Sequence, residues 1–592
     1  MLNENTEKQN SERLIIKDEI SIKSTASSPF ESTDDMVLSG NFSKLVKDKV
    51  TFRSRNETLF THKGDEFISS LRENQIRNVK KDLTKSPENP FLLNNLGLAY
   101  LGSGELDKAL ELFNKAIEIK HDFTTAKLNL ASIYTSKNKN DLALQIYQDL
   151  LKRNPKDIRA LINVGDIYFK IKELEKAKAI FEEIIKENPN NIASRNKLAA
   201  INLIQERCGK AISELRKCLQ VKTDLPSIYN NLGVAYGIAG SYKKAILSFK
   251  IALKLSRNYS SAIANLATVL GLQNRIQDSI ELIEDYLKGN ENYQVRELLS
   301  EFYLKNKQFK NALKNLRIVL TNAIKLNFPN QEIARLYNNI GVVHYNLRDF
   351  NSAEENFTAS LNKAEYVNQI QVQNLIDLYF FLNNINKAKK YIDILREKFG
   401  EKGFYLYYMG LYSFRNKELS NAIVFLKDFI NVNKKFAPSY TLLGYILSEY
   451  FNDFQRAIEV TKEGYENIPD NIGIINNLAY DYLMNNEVDN AKNILDKVKG
   501  VSDYIFLIAT RGLLKIKEGN LEEGRRLYNL AEELAEFEFL KKQVIQKKHL
   551  EIAKYFLAKN IKTAARDNLL KVLSVKIKES IYTMQANELY GN

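Results

Sequence analysis

The chain has 592 residues, with 86 Lys and Arg against 72 Asp and Glu, four His and two Cys. A net charge of +14 is thin over that length and does not by itself argue for a nucleic-acid partner, while a mean hydropathy of −0.35 with no apolar run near 18 residues argues against a membrane-spanning helix. Cys208 and Cys218 lie ten residues apart on one predicted helix, with roughly 15 Å of rise between them, so they read as reduced filler rather than a bridge.

Residues 1–60 lack periodicity and include the Ser/Thr-rich stretch SIKSTASSPFESTDD (21–35), the composition of a disordered tail. No basic-then-apolar leader opens the chain, and with reduced cysteines this sets the expected location as cytoplasmic, with peripheral attachment at the inner membrane as its variant. Between Asp65 and Lys85 the residues Phe67, Ile68, Leu71, Ile76, Val79 and Leu83 fall at helical spacing. They predict an N-terminal capping helix within 65–89, covering the open face of the next element.

From about residue 90 the chain repeats itself. Small residues recur every 34 positions at Ala109, Ala143, Ala177, Ala211, Ala245 and Ser279, then with small slips at Ala312, Ala353, Ala388, Ala422, Ala457, Ala491, Gly524 and Ala565. Twelve residues before each stands a second small residue, as at Gly97, Ala131, Gly165, Ala199, Gly233, Ala267, Gly341, Gly410 and Ala479. Four after it comes a large one, as at Phe113, Tyr147, Phe181, Phe249 and Phe357, and Pro155 and Pro189 stop helices further on. Each unit therefore predicts two short antiparallel helices joined by a tight turn at residues such as Gly104, Asn138, Gly240 and Asn274. Small residues let the helices approach closely, and large ones fill the space between hairpins. No hairpin buries its apolar face alone, so the units must stack into an all-α solenoid of about fourteen helix pairs.

The beat divides the chain into an N-terminal array at 90–292, a stretched repeat at 293–333 where the array is expected to bend, and a C-terminal array at 334–580. The stretch shows as a 41-residue interval between Ala312 and Ala353. Near the end, Lys541, Lys542, Lys547, Lys548, Lys554, Lys559, Lys562, Arg566, Lys571, Lys576 and Lys578 oppose only Glu551 and Asp567. This basic end cap reads either as a solvated polar end or as a docking surface for an acidic partner or a membrane face.

Catalytic groups are sparse. His62, His121, His344 and His549 are scattered, and there is no metal-ligand spacing, Gly-rich phosphate loop or nucleophile elbow. No catalytic, cofactor or metal site is expected, and the chain does not read as an enzyme.

The binding candidates are two stripes. One residue before the landmark Leu of the first helix, or its equivalent, stand Asn95, Asn129, Asn163, Asn231, Asn265, Asn339, Asn374 and Asn477. An Asn amide offers donor and acceptor together, so such a ladder can hold an extended chain by its backbone or can bond neighbouring repeats to each other. In the C-terminal half the same face offers Tyr345, Phe380, Phe381, Phe404, Tyr407, Phe414, Tyr445 and Tyr480. Exposed, these aromatics would mark a partner site; under tight winding they would be packing.

Segments such as NLGLAYLGSGELDKALELFNKAI (95–117) and NLGVAYGIAGSYKKAILSFKIAL (231–253) resemble the tetratricopeptide repeat family. The resemblance spans about 90–580 and departs from the family in lacking its early Trp. It implies a right-handed superhelix whose first helices line a concave groove, the face on which similar Asn ladders hold peptide backbones. It does not carry over the family's two-carboxylate clamp, because the matching places hold Asn94, Leu128 and Ile162. The implied function is a non-enzymatic scaffold or adaptor that binds a peptide segment or protein partner in its groove to assemble a complex. Two alternatives stand beside it: a cytoplasmic-face component of a bacterial envelope machine such as a pilus, secretion or flagellar motor, and the substrate-recruiting arm of an enzyme on a separate chain. Nucleic acid is not an expected partner, since the groove looks neutral.

Overall fold

The computed structural model describes residues 76–498, 504–535, 538–577 and 580–591. The predicted tail at 1–60 lies outside these, as do His62 and the capping-helix residues Phe67, Ile68 and Leu71. Among the described residues there are helices and turns and no strand.

Successive helices pair into hairpins: Pro90–Gly102 with Leu106–Ile119, Pro226–Ile238 with Tyr242–Leu255, Ile472–Met484 with Val488–Leu495. Many first helices begin on a side-chain cap. Asn89 accepts from the Phe91 and Leu92 N–H groups ahead of Pro90, and Asp157, Asn191, Asn292 and Asn471 do the same for their helices. First helices end in a left-handed residue five positions before the small residue of the second helix. These turn residues include the predicted Gly104, Asn138, Gly240 and Asn274, but also Lys172, Glu206, Lys307, Arg348 and Lys417. The next N–H then closes back onto the helix, as from Glu105 to the Tyr100 carbonyl at 3.0 Å and from Ser241 to that of Tyr236 at 2.8 Å.

Inside each hairpin the two periodic positions meet. A Cβ added to Gly97, Gly165, Gly233 or Gly341 would lie 2.7, 2.7, 2.5 and 2.6 Å from the rings of Phe113, Phe181, Phe249 and Phe357. At Ala199 and Ala267 the opposing position holds the smaller Leu215 and Ile283, whereas Ala131 still faces a large ring, Tyr147.

The chain divides into two compact units between Asn315 and Leu316, within the helix Phe309–Lys325 and inside the predicted 293–333 stretch. In the first unit the helix at 76–85 lays Ile76, Val79 and Leu83 against the core of the first hairpin. The extra length between Ala312 and Ala353 lengthens the helices themselves: Phe309–Lys325 and Asn330–Asn346 run 17 residues where most others run 13 or 14. In the second unit the end of the array is built on a 21-residue helix, Glu538–Ala558. No helix among the described residues is long and apolar enough to cross a membrane.

One hairpin breaks the pattern. Gly444 stands thirteen residues before Ala457 rather than twelve, and the added residue is absorbed as a π-helical turn at Ile446–Tyr450. Its closing bond runs from the Asp453 N–H to the Leu447 carbonyl, 2.9 Å, one residue longer than in the other hairpins.

Candidate functional site

The asparagine ladder is spent mostly between repeats. Asn129 Nδ2 donates to Asn94 Oδ1 at 3.0 Å, Asn231 to Asn196 at 2.8 Å, Asn265 to Asn230 at 2.9 Å and Asn374 to Asn338 at 2.7 Å. Asn477 reaches the Thr441 carbonyl at 3.2 Å, and Asn163 turns back to the Arg159 carbonyl of its own helix at 2.8 Å. Asn265, Asn339, Asn374 and Asn477 are buried, Asn129, Asn163 and Asn231 are half-buried, and Asn95 is exposed. Accessible ladder amides are thus confined to the early repeats. In the helix Ile192–Ile204 the ladder position holds Lys197, which meets Asp166 at 2.8 Å; burial pushes the Asp166 carboxyl up and the Lys197 amine down.

The aromatic stripe is not a continuous surface. Phe380, Tyr407 and Phe414 are core residues, which corrects the expectation that they line an open face. Tyr407 packs edge-on against Phe436, centroids 4.9 Å apart, and Phe414 against Tyr450 at 5.7 Å, so the rings fill the seams between hairpins. Tyr345, Phe404, Tyr445 and Tyr480 keep partial exposure.

Tyr445 and Tyr480 open onto a cavity of about 70 Å³ in the second unit, a feature absent from the sequence-based expectations. Three successive first helices, Ala437–Tyr445, Ile472–Met484 and Ile505–Lys517, contribute Tyr445, Asn476, Tyr480 and Thr510; the π-helical turn adds Ser448 and Glu449, and Tyr528, Lys547 and Tyr582 come from the end of the array. On one side Asp481 is wholly buried, bonded to Ser448 through one oxygen and to Thr461 Oγ1 at 3.1 Å through the other. Burial pushes its pKa up to about 8 against the opposing pull of those two hydroxyls. On the other side Lys547 Nζ lies 4.5 Å from the Tyr480 ring centroid and 4.9 Å from that of Tyr582, donates to the Tyr480 hydroxyl, and stands 3.6 Å from Glu449 and 3.8 Å from Glu551. The one signal for this site in the sequence is the thirteen-residue spacing from Gly444 to Ala457.

The basic cap is partly neutralised from within. Lys548 pairs with Glu532 at 2.8 Å, Lys554 with Glu551 at 3.1 Å and Lys542 with Glu538 at 3.7 Å, while Lys559, Lys562, Arg566, Lys571 and Lys576 stay exposed. Of the histidines, His344 is buried with Nδ1 2.9 Å from Asp349, and His549 Nδ1 lies 2.9 Å from Asn568. No cluster of three or more His, Cys, Asp or Glu suited to a metal ion occurs among the described residues.

Family models for the tetratricopeptide repeat match residues 90–123, 134–201, 226–259 and 334–362. No curated protein matches the chain. Among solved structures it is similar to a tetratricopeptide repeat protein from Parabacteroides merdae, at 16% identity over 43% of this chain and 98% of that one, with a TM-score of 0.36. It is also similar to a chain of the APC/C hetero-tetramer Cut9-Hcn1, at 12% identity over 95% and 98%, TM-score 0.49. A third likeness is to YrrB, described as having an unusual peptide-binding site, at 17% identity over 31% and 95%, TM-score 0.25.

Proposed function

Because the chain is a tetratricopeptide repeat protein, we propose that it is a non-catalytic scaffold that binds a segment of a protein partner on the face made by its first helices and so assembles a complex. The observation that carries this is the convergence of three successive first helices on one recess lined by Tyr445, Asn476, Tyr480 and Thr510. Tyrosines supply contact area at low entropic cost, and the amide and hydroxyl groups supply hydrogen bonds. The partner's side chains, rather than its backbone alone, are what such a recess reads. The test is selection of peptides from a displayed library on the full-length chain, followed by affinity measurement on the wild type and on Ala509→Trp, which fills the recess from its accessible side. Peptides that bind the wild type and lose about tenfold or more in the variant support the reading. A chain that selects no saturating peptide contradicts it.

A second reading is favoured by the exposed Lys562, Arg566 and Lys571, which share the last hairpin with exposed Leu570 and Met584. There the end of the array would meet an acidic partner or a membrane face from the cytoplasmic side. Co-sedimentation with phosphatidylglycerol vesicles, compared with neutral phosphatidylcholine ones, tests it.

A further inference from the structure

The recess between Tyr445, Glu449 and Tyr480 does more than offer a hollow, and its chemistry favours one kind of guest. We propose that it receives a basic side-chain head group, guanidinium or ammonium, projecting from the bound segment and held between the Tyr445 and Tyr480 side and the carboxylate of Glu449. The inference rests on the scaffold reading and names the side chain that the groove selects.

Three observations lead there. First, Tyr528 lines the cavity and is only 1% exposed. A phenol hydroxyl on the wall offers a guest with N–H donors an acceptor. Burial also holds this phenol well above its usual pKa, so it stays neutral and can accept as well as donate. Second, Glu449 is 9% exposed and approaches Lys547 only to 3.6 Å, outside ordinary hydrogen-bond range. A carboxylate has about four acceptor positions, so a second cation can share Glu449 with the Tyr480 hydroxyl that already bonds to it. Third, the walls already host one. Lys547 sits over the faces of Tyr480 and Tyr582, which shows that this aromatic and acidic lining accommodates an ammonium.

An acidic guest fits poorly. Among the described residues Lys547 is the one cation in the cavity lining, and it is already shared among Glu449, Glu551 and the Tyr480 hydroxyl. A carboxylate entering beside it would face Glu449 at close range. The volume of about 70 Å³ suits a head group rather than a length of chain.

The experiment uses the full-length chain and the pentapeptide acetyl-Ala-Ala-Arg-Ala-Ala-amide, with Lys, Leu and Glu replacing Arg in turn, titrated to millimolar concentration by calorimetry and by chemical-shift perturbation. The Arg or Lys peptide should bind saturably, and binding should fall about tenfold or more in both Glu449→Gln and Tyr528→Phe. Both substitutions preserve shape, and an unchanged melting curve verifies the fold. Preference for the Glu peptide, equal binding of the Leu peptide, no saturation by any of the four, or wild-type affinity in either variant would overturn the proposal. Display-selected peptides that still lose binding in Ala509→Trp but carry no basic residue would overturn it too, while leaving the scaffold reading in place.

Discussion

Replacing Gly233 with alanine places a methyl group where Phe249 already is. Its carbon would lie 2.5, 2.6 and 2.7 Å from three atoms of the ring, well inside the roughly 3.5–4.0 Å at which carbon atoms attract. Phe249 is fully buried and cannot swing aside without moving its neighbours. Overpacking of this kind costs about 1–3 kcal/mol, and the better helix propensity of alanine returns at most about 1 kcal/mol of it. Phe249→Leu alone is also destabilising, because the ring's place is left partly empty. Together the two recreate the pairing found at Ala199 and Leu215, so the double variant should be more stable than the sum of the single effects by about 1–3 kcal/mol. A repeat array need not unfold in one step, so the readout is native-state hydrogen exchange of the amides in Pro226–Ile238 and Tyr242–Leu255, with thermal melting beside it. Wild-type protection in Gly233→Ala, or strictly additive single effects, would refute the idea that these positions are matched in size.

Three further outcomes are expected of the same structure. Asn265→Ala, which breaks a buried bond of 2.9 Å to Asn230, should lower local stability by about 1–2 kcal/mol, whereas Asn95→Ala at an exposed position should stay within about 0.5 kcal/mol; equal effects in hydrogen exchange would contradict the ladder's role between repeats. Glu206 adopts a left-handed turn with φ of 60°, so Glu206→Gly should raise the stability of its hairpin by up to about 1 kcal/mol, seen as slower exchange in Ile192–Ile204. The folded pKa of Asp481, about 8, lies above its unfolded value, so the folded state holds a proton that the unfolded chain has released. Stability must then fall as pH rises from about 4 to about 8 and level off above, and Asp481→Asn should remove this loss, gaining on the order of 5 kcal/mol over the wild type at pH 9 and little at pH 4. Parallel melting curves of the two proteins at every pH would show that the buried carboxyl does not titrate as its surroundings require.

The hairpins, their turns and their tight internal contacts were legible because each depends on residues a fixed distance apart. Gly233 and Phe249 are sixteen positions apart in every comparable repeat, and the left-handed turn falls where the period puts it, even when the residue is Lys172 or Arg348. The role of Asn265 was open because its partner is set by the stacking of one repeat on the next, which a single repeat does not reveal. Adjacent pairs such as Asn230 and Asn231 carried the hint, since one can accept from the following repeat while its neighbour donates to the preceding one. Burial of Tyr407 and Phe414 depends on how deeply successive hairpins interlock, and an aromatic at helical spacing reads the same on either side of that boundary. The recess was hidden for a different reason: Tyr445, Tyr528 and Lys547 are far apart in sequence, and three-dimensional stacking alone brings them together.

The extra residue between Gly444 and Ala457 turns the later part of its helix by about 100° relative to its counterparts, which is what directs Ser448 to Asp481 and Glu449 into the recess. The site is therefore written in the length of the chain as much as in its letters. Deleting one residue there would restore the ordinary beat and withdraw both groups at once, a change that no single substitution reproduces. Such a site arises or disappears by insertion and deletion, and two arrays with nearly the same residues but a different count in this one hairpin would present different inner surfaces.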